Sequence, residues 1–172
     1  MTTETVTTAE PEEAPFATDA RTMALLRNDL RGLSKATIGE MVAELTERMG
    51  VDPALAPIDI IPTKVRRSDG TWEEKLSLYV NARGASELAK RWDLSDVDMD
   101  VDIREKVVIV KAVKSTPTGR IVRDVGASAY DPDKPLDLAR AVKTATTSAH
   151  RRATMRAVGI FLTEPEGPLP DA

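Results

Sequence analysis

The residues best suited to chemistry in this sequence lie in one alanine- and threonine-rich segment near its end, KTATTSAHRRATMRAVG at positions 143–159. The segment contains four Lys or Arg residues, the single histidine of the chain and no acid. An arginine offers a planar fork of N–H donors to a phosphate, and a threonine hydroxyl offers one donor. This combination is typical of a surface that contacts a nucleic-acid backbone.

Apolar periodicity predicts that this segment belongs to a long helix over about residues 136–158, which ends at Gly159. The predicted sheet-facing stripe is made of small and aliphatic residues, namely Leu138, Ala139, Val142, Ala145, Thr146, Ala149, Ala153 and Ala157. The opposite face carries Arg140, Thr144, Thr147 and Arg151, flanked by Lys143 and His150, with Arg152 and Arg156 toward its other edge. Solvated helix faces usually mix charges of both signs, so this face favours an anionic partner. Neither Arg151 nor Arg152 is expected to be fully buried.

Two further basic groups lie earlier in the chain. Lys64, Arg66 and Arg67 are predicted on or near a β-hairpin, with Trp72 just past its tip. A basic hairpin that carries an aromatic residue can grip a nucleic-acid strand, although most such hairpins are only polar. Arg83 is predicted at the start of a short helix, where a cation opposes the helix dipole at a small cost in stability. A residue that breaks a local rule in this way is a candidate for function.

The elements that must position these residues can be read from the hydrophobic pattern. Helices are predicted over residues 22–31, 35–49 and 82–92, and hairpin strands over 58–65 and 75–81. Ser34 is expected to cap the second helix and Gly50 to end it. Three further strands, over 95–103, 106–113 and 120–130, precede the long helix. The order predicts an α+β fold: an antiparallel β-meander with a helix across it (a β-β-β-α core), a preceding hairpin, a short helix and N-terminal helices.

Charge divides the chain into three parts. Residues 1–20 and 164–172 hold five and three of the 28 acids and none of the 24 Lys and Arg residues, which leaves residues 21–163 with 20 acids and a net charge of +4. We interpret the two acidic ends as disordered tails and residues 21–163 as one core domain. The absence of cysteine excludes disulfides and thiolate metal sites and fits a reducing compartment. No apolar run approaches the about 18 residues of a membrane span, and the N-terminus is not expected to be a signal peptide.

Three stretches together resemble the single-strand annealing proteins of phage recombination, the RecT/Redβ/Erf type, and their eukaryotic Rad-type relatives. The stretches are LYVNARGASELAKRW, VVIVKAVKSTPTGRIVRDVGASAY and LARAVKTATTSAHRRATMRAVG, and the resemblance covers roughly residues 58–162. It implies a β-β-β-α core, assembly into rings or helical filaments, and a basic DNA groove around the outside. It also implies that Arg83, Arg151 and Arg152 line that groove.

Other interpretations of the charged residues stay open. The alternating aspartates Asp96, Asp98, Asp100 and Asp102 are predicted to share one strand face, which could be a solvated face, a subunit contact or a weak metal site. Asp59 with Glu73, Glu74 and Lys75 satisfies a loose D…ExK pattern, as in magnesium-dependent nucleases. A lone His150 supports neither a catalytic triad nor a zinc site. A non-enzymatic, self-assembling adaptor is a further alternative.

Together these observations favour an ATP-independent protein that binds single-stranded DNA and anneals complementary strands in homologous recombination. The chain lacks the GxxxxGK[ST] loop of nucleotide-driven recombinases, and we expect no cofactor, no metal and no enzymatic activity. The expected partners are single-stranded DNA, the annealed duplex intermediate and other copies of the chain, with a phage exonuclease or a host single-strand-binding protein as further candidates. The expected location is the cytoplasm of a bacterial host, with no membrane partner.

Overall fold

The computed structural model describes residues 19–27 and 29–160 and has an α+β architecture. The helices are α1 (Ala20–Arg27), α2 (Lys35–Met49), α3 (Ala82–Arg91) and α4 (Asp137–Val158), with a short 3-10 turn at Pro53–Leu55. The strands are β1 (Ile58–Arg66), β2 (Trp72–Val80), β3 (Ser95–Arg104), β4 (Val107–Ser115) and β5 (Ile121–Ala129). The predicted fold class is therefore confirmed. Within the described part of the chain, no helix is long and apolar enough to cross a bilayer.

The first half of the chain builds a helical layer around the antiparallel hairpin β1–β2. The Ser34 hydroxyl accepts the Thr37 amide at 3.1 Å at the start of α2, and Gly50 ends that helix in the left-handed region at φ 62°, as predicted. Buried side chains from α2, β2 and α3, such as Met41, Leu78 and Leu88, form one hydrophobic cluster. This cluster extends to Met155 near the end of α4, so it joins the two halves of the molecule.

The second half is the antiparallel meander β3-β4-β5, with α4 lying across β4 and β5. The helix touches the sheet through four alanines one turn apart, Ala141, Ala145, Ala149 and Ala153, which are completely or almost completely buried against Val108 and Val110. Helix and sheet approach so closely at Gly126 that a Cβ there would lie 2.1 Å from the Ala145 carbonyl oxygen. Small residues on both partners therefore set the position of α4.

Several predicted boundaries differ from the structure. Helix α1 begins at Ala20, where the Asp19 carboxylate accepts the Thr22 amide at 2.8 Å, so these two residues belong to the folded part and not to the tail. The other residues of the two predicted tails lie outside the described residues.

The sheet-facing stripe of α4 is rotated from the prediction: Ala141 is buried, whereas Ala139 is exposed. The predicted stripe was drawn parallel to the helix axis. In the structure, the residues of α4 that contact the sheet are instead spaced four apart.

The four aspartates of β3 do not share one face, which corrects the sequence-based prediction. The register between β3 and β4 shifts between Asp96 and Asp98, which is a β-bulge at Val97. A bulge adds one residue and reverses the alternation beyond it. Asp96 therefore lies beside Lys114 on the side covered by α4, whereas Asp98, Asp100 and Asp102 lie on the opposite face of the sheet.

Candidate nucleic-acid interface

The N-terminal half of α4 presents the predicted phosphate-binding face to solvent. Arg140 and Lys143 are exposed, and Thr144 and Thr147 on the same side are half-buried. Asp137 is the only acid in the helix, and it lies in the first turn. Beyond Asp137, the remaining residues of the helix include no further acid. This half of α4 is therefore a basic surface on a rigid, packed helix.

The C-terminal half of α4 differs, because Arg151 is only 4% exposed. Its guanidinium carbon lies 4.2 Å from the centroid of the Tyr79 ring in β2, within the range of a cation–π contact. The prediction that Arg151 lies away from the alanine row was right, but the prediction that it would face solvent was wrong. The hairpin and α3 cover this second side of the helix, as the burial of Met155 against Leu88 and its neighbours also shows.

Arg152 and Arg156 turn toward the sheet edge. The Nη1 of Arg152 donates to the Val125 carbonyl at 2.9 Å, and the Nη1 of Arg156 donates to the Arg123 carbonyl at 3.0 Å. Arg156 also lies 3.3 Å from the Asp124 carboxylate. Both side chains therefore occupy backbone acceptors of β5, and this role competes with the predicted contact to phosphate.

The basic residues of the hairpin also differ in their surroundings: Arg67 contacts a carboxylate, whereas Arg66 is exposed beside an aromatic ring. Arg67 forms an ion pair with Glu73 at 2.9 Å, and Arg31 contacts the same carboxylate at 2.6 Å. The hydrogen bonds from Arg67 and Arg31 lower the pKa of Glu73 to about 2. Arg66 instead stands opposite Trp72 at the end of the hairpin, where both side chains are exposed.

Lys64 lies on the same face of the hairpin as Arg66, because residues two apart on a strand point the same way. Lys64 is exposed and lies opposite Glu74. The pair Arg66 and Trp72, with the indole 65% exposed, combines a cation with a flat ring at one hairpin tip. Such a tip can stack on a base while the cation contacts a phosphate.

Arg83 is exposed in the first turn of α3, as predicted. Its position is fixed by Asn81, whose side-chain oxygen caps the helix by accepting the Gly84 amide at 3.0 Å. The Asn81 amide group donates to the Ala56 carbonyl at 2.7 Å and anchors this helix start to the chain that enters β1. Arg83 is therefore held on a rigid element four residues after Tyr79.

The residues of the loose nuclease pattern do not come together. Asp59 pairs with Tyr79 at one end of the hairpin, whereas Glu73 pairs with Val65 toward the other end. Val65 lies six positions after Asp59 on β1, which corresponds to about 20 Å. Across residues 19–27 and 29–160, no three His, Asp or Glu side chains are grouped in a way that could hold a metal ion.

A charged cluster that the sequence did not reveal lies between β3, β4 and α4. The Lys114 ammonium, with 5% of its side chain exposed, donates to Asp96 at 2.6 Å, and the His150 Nδ1 lies 3.3 Å from the same carboxylate. Partial burial raises the pKa of Asp96, but Lys114 and His150 outweigh it and leave that pKa below its ordinary value. The strict alternation of acidic and apolar residues in β3 gave no sign of this cluster, because the bulge at Val97 is what brings Asp96 to the side covered by α4.

The predicted DNA-binding residues thus fall into two classes. Five of them are exposed on rigid elements and retain the predicted role as candidates: Lys64, Arg66, Arg83, Arg140 and Lys143. In the other four, the guanidinium contacts the Glu73 carboxylate, the Tyr79 ring or a carbonyl of β5: Arg67, Arg151, Arg152 and Arg156. No model of a known protein family matches this chain, and no curated protein matches it significantly.

Proposed function

We propose that this protein binds single-stranded DNA through its phosphate backbone and anneals complementary strands without ATP. The observation that carries the proposal is the basic outer face of α4, with Arg140 and Lys143 exposed on a helix that has no acid after Asp137. The helix is fixed on the meander by four buried alanines, so these cations are presented on a preformed surface. A preformed surface loses less conformational entropy on binding than a flexible basic tail does.

The chemistry of this surface favours a nucleic-acid backbone over other anions. Arg140 can contact a phosphate with two N–H donors, Lys143 adds a point charge, and Thr144 and Thr147 can each donate one hydroxyl hydrogen. These side chains follow one another along the helix axis, so successive phosphates of one DNA strand can contact successive side chains. Contacts of this kind carry no base information, and binding should tolerate any sequence.

Annealing, beyond binding, is supported by the scarcity of aromatic side chains. Aromatic residues form 3% of the sequence. One of them, Trp72, is exposed beside Arg66 at the hairpin tip. A protein that stacks every base would hold strands apart from their complements. One that neutralises phosphates reduces the repulsion between two strands and leaves their base edges available for pairing.

The proposed DNA contacts are therefore Arg140, Lys143, Arg83, Lys64 and Arg66. We assign Arg151, Arg152 and Arg156 to holding α4 in place, because each contacts another element of the protein. Assembly into a ring or filament, and cooperation with a phage exonuclease or a host single-strand-binding protein in recombination, belong to the same proposal. In that setting the protein would act in the cytoplasm of a bacterial cell.

The test measures annealing of two complementary fluorescent oligonucleotides in the absence of ATP and magnesium. Wild-type protein should accelerate annealing, and the Arg140→Ala/Lys143→Ala double variant should lose most of that acceleration. The matched control is Arg48→Ala, an exposed arginine of α2 that forms an ion pair with Glu44, four residues earlier in the same helix. Electron microscopy of the protein with the two oligonucleotides should reveal rings or filaments. A wild-type protein that does not bind single strands at low salt would refute the proposal.

A further inference from the structure

The two sheets of the described chain have four outer edges, and three of them are blocked. On β1 the centre of the strand is Pro62, which has no N–H to offer to another strand. On β2 the Leu30 amide already donates to the Leu76 carbonyl at 2.8 Å, so the linker after α1 covers that edge. On β5 the carbonyls of Arg123 and Val125 accept the guanidiniums of Arg156 and Arg152. Natural sheets use such devices to prevent unwanted strand addition.

The fourth edge, β3, is open from Asp98 to Arg104, beyond the bulge at Val97, in the part of the chain that the structure describes. Nine of its ten residues are exposed; α4 covers β4 and β5, and His150 of α4 contacts β3 at Asp96, before the bulge. The Met99 amide donates to its neighbour, the Asp98 carboxylate, as the Val125 amide does to Asp124 on the outer edge of β5. By the alternation of a strand, the backbone groups of Val101 and Ile103 then point outward with those of Met99.

The two faces of this edge have opposite chemistry. Met99, Val101 and Ile103 form an apolar row on the α4 side, with between 39% and 51% of each residue exposed. Asp98, Asp100 and Asp102 form an acidic row on the other side. Lys111 lies 3.3 Å from Asp100 and Arg104 lies 2.7 Å from Asp102, so the row is partly neutralised. Both bases are exposed, and exposed ion pairs of this kind are weak.

We propose that β3 is a docking edge for an extended segment of another protein in which basic residues alternate with apolar ones. Such a segment would add a fourth strand to the meander, with its Lys or Arg side chains over the aspartates and its apolar side chains beside Met99, Val101 and Ile103. Backbone hydrogen bonds supply affinity in this mode of recognition, and the alternating side chains supply selectivity. The Asp98 side chain would rotate away from the Met99 amide as the new strand arrives.

A second copy of the chain does not fit this edge. Two β3 strands side by side would bring aspartate rows together, and like charges directly opposite destabilise a sheet. The other three edges that a second copy could offer are the blocked ones. The terminal stretches 1–18 and 161–172 hold four and three acids and no base, so the aspartate row would repel them. The occupant inferred from charge is therefore a separate basic partner, which is independent of the proposed annealing activity.

The probe for this proposal is a fluorescein-labelled nine-residue peptide in which Lys alternates with Val. Fluorescence anisotropy should detect its binding to wild-type protein, while a peptide of the same composition with Lys and Val in separate blocks should bind about tenfold more weakly. The variant Val101→Pro removes an outward N–H without removing a bond to β4, and it should weaken binding about tenfold. Thermal unfolding of this variant reports whether the sheet is intact.

A second variant keeps the test informative if Val101→Pro does not fold. Asp98→Lys/Asp100→Lys should reverse the preference, so that a peptide of alternating Glu and Val binds better than the Lys peptide. The charge-matched control is Glu47→Lys/Asp133→Lys, at exposed acids of α2 and the turn before α4, which should leave Lys-peptide binding unchanged. Equal binding of the alternating and block peptides would overturn the proposal. So would sedimentation showing that Val101→Pro alone converts an oligomer to a monomer, because a second copy would then occupy the edge.

Discussion

The two halves of α4 are alike in sequence and opposite in surroundings. In the first half, Arg140 and Lys143 stand on a surface that faces solvent. In the second half, Arg151 is buried under Tyr79, and Arg152 donates to a carbonyl of β5. The alanine row runs along both halves, so the helix itself does not cause the difference. For Arg151 the cause is a second layer, made of α3 and the hairpin, that covers the second half, whereas Arg152 reaches the edge of β5.

This comparison shows that basic residues in one helix can serve two purposes. Cations on an uncovered face are available to an anionic partner, whereas cations under a second layer must be satisfied within the protein. A buried guanidinium stacked on an aromatic ring, or donating to backbone carbonyls, meets that requirement. A stretch rich in arginine therefore predicts a binding surface only where the fold leaves it uncovered.

The largest effect is expected from Gly126→Ala, which tests the contact on which both halves depend. A Cβ at this position would lie 2.1 Å from the Ala145 carbonyl and 2.6 Å from the Ala149 amide, and neither backbone atom can move without shifting α4. We expect the free energy of unfolding in urea to fall by about 3 kcal/mol. The control is Gly39→Ala on α2, where a Cβ meets nothing within 4 Å. That substitution should stabilise the protein slightly by its better helix propensity. A stable Gly126→Ala protein would show that α4 sits farther from β5.

The second-largest effect is a difference in stability between variants in the two halves of α4. Arg151→Ala should lower the free energy of unfolding by about 2 kcal/mol, because it removes the contact with Tyr79 and leaves a gap between α4 and β2. Arg140→Ala should change stability by less than about 0.5 kcal/mol, since it is an exposed surface position. Urea unfolding of the two variants in parallel measures both values. If Arg151→Ala kept full stability but lost DNA affinity, Arg151 would belong to the DNA surface, and the two halves of α4 would not differ in function.

A smaller effect is expected at Asp96, which joins His150 of α4 to the buried Lys114. Asp96→Asn should cost about 1 kcal/mol, since the carboxylate is largely exposed and water can partly replace it. The pKa of Asp96 is lower in the folded protein than its ordinary value of 3.8, so its contribution is complete above that pH and is lost as the pH falls through the folded value. The stability difference between wild type and Asp96→Asn should therefore shrink below about pH 4.

The smallest effect on stability, and the sharpest on binding, is expected for Arg140→Ala/Lys143→Ala. Loss of two phosphate contacts should reduce the slope of log affinity against log salt by about 1.4, from a value near −3 for about four phosphates per subunit site. The measurement is a salt titration of binding to a labelled single strand by fluorescence anisotropy. Arg152→Ala/Arg156→Ala provides the comparison, because these side chains contact β5 and should leave the slope nearly unchanged. Equal slopes for both double variants would mean that the two halves of α4 do not differ in function.

Much of the fold could be predicted from the sequence because local patterns determine it. The cap at Ser34, the left-handed ends at Gly50 and Gly159, and the alternation of β1 to β5 all act within a few residues. The candidate site could be predicted only in part. Arg83, Arg140, Lys143, Lys64 and Arg66 are exposed as expected, but whether a polar helix face is covered depends on elements far away in the chain.

The sequence by itself thus determined the elements, their order and the fact that α4 has an alanine side and a basic side. Only the tertiary structure decided which part of the basic side meets solvent, because that depends on where the hairpin and α3 pack. It also decided the place of Asp96, since the bulge at Val97 is a property of the pairing with β4 and leaves the alternating sequence SDVDMDVDI unchanged. Covering and register arise from contacts between distant segments, and a local pattern carries no information about them.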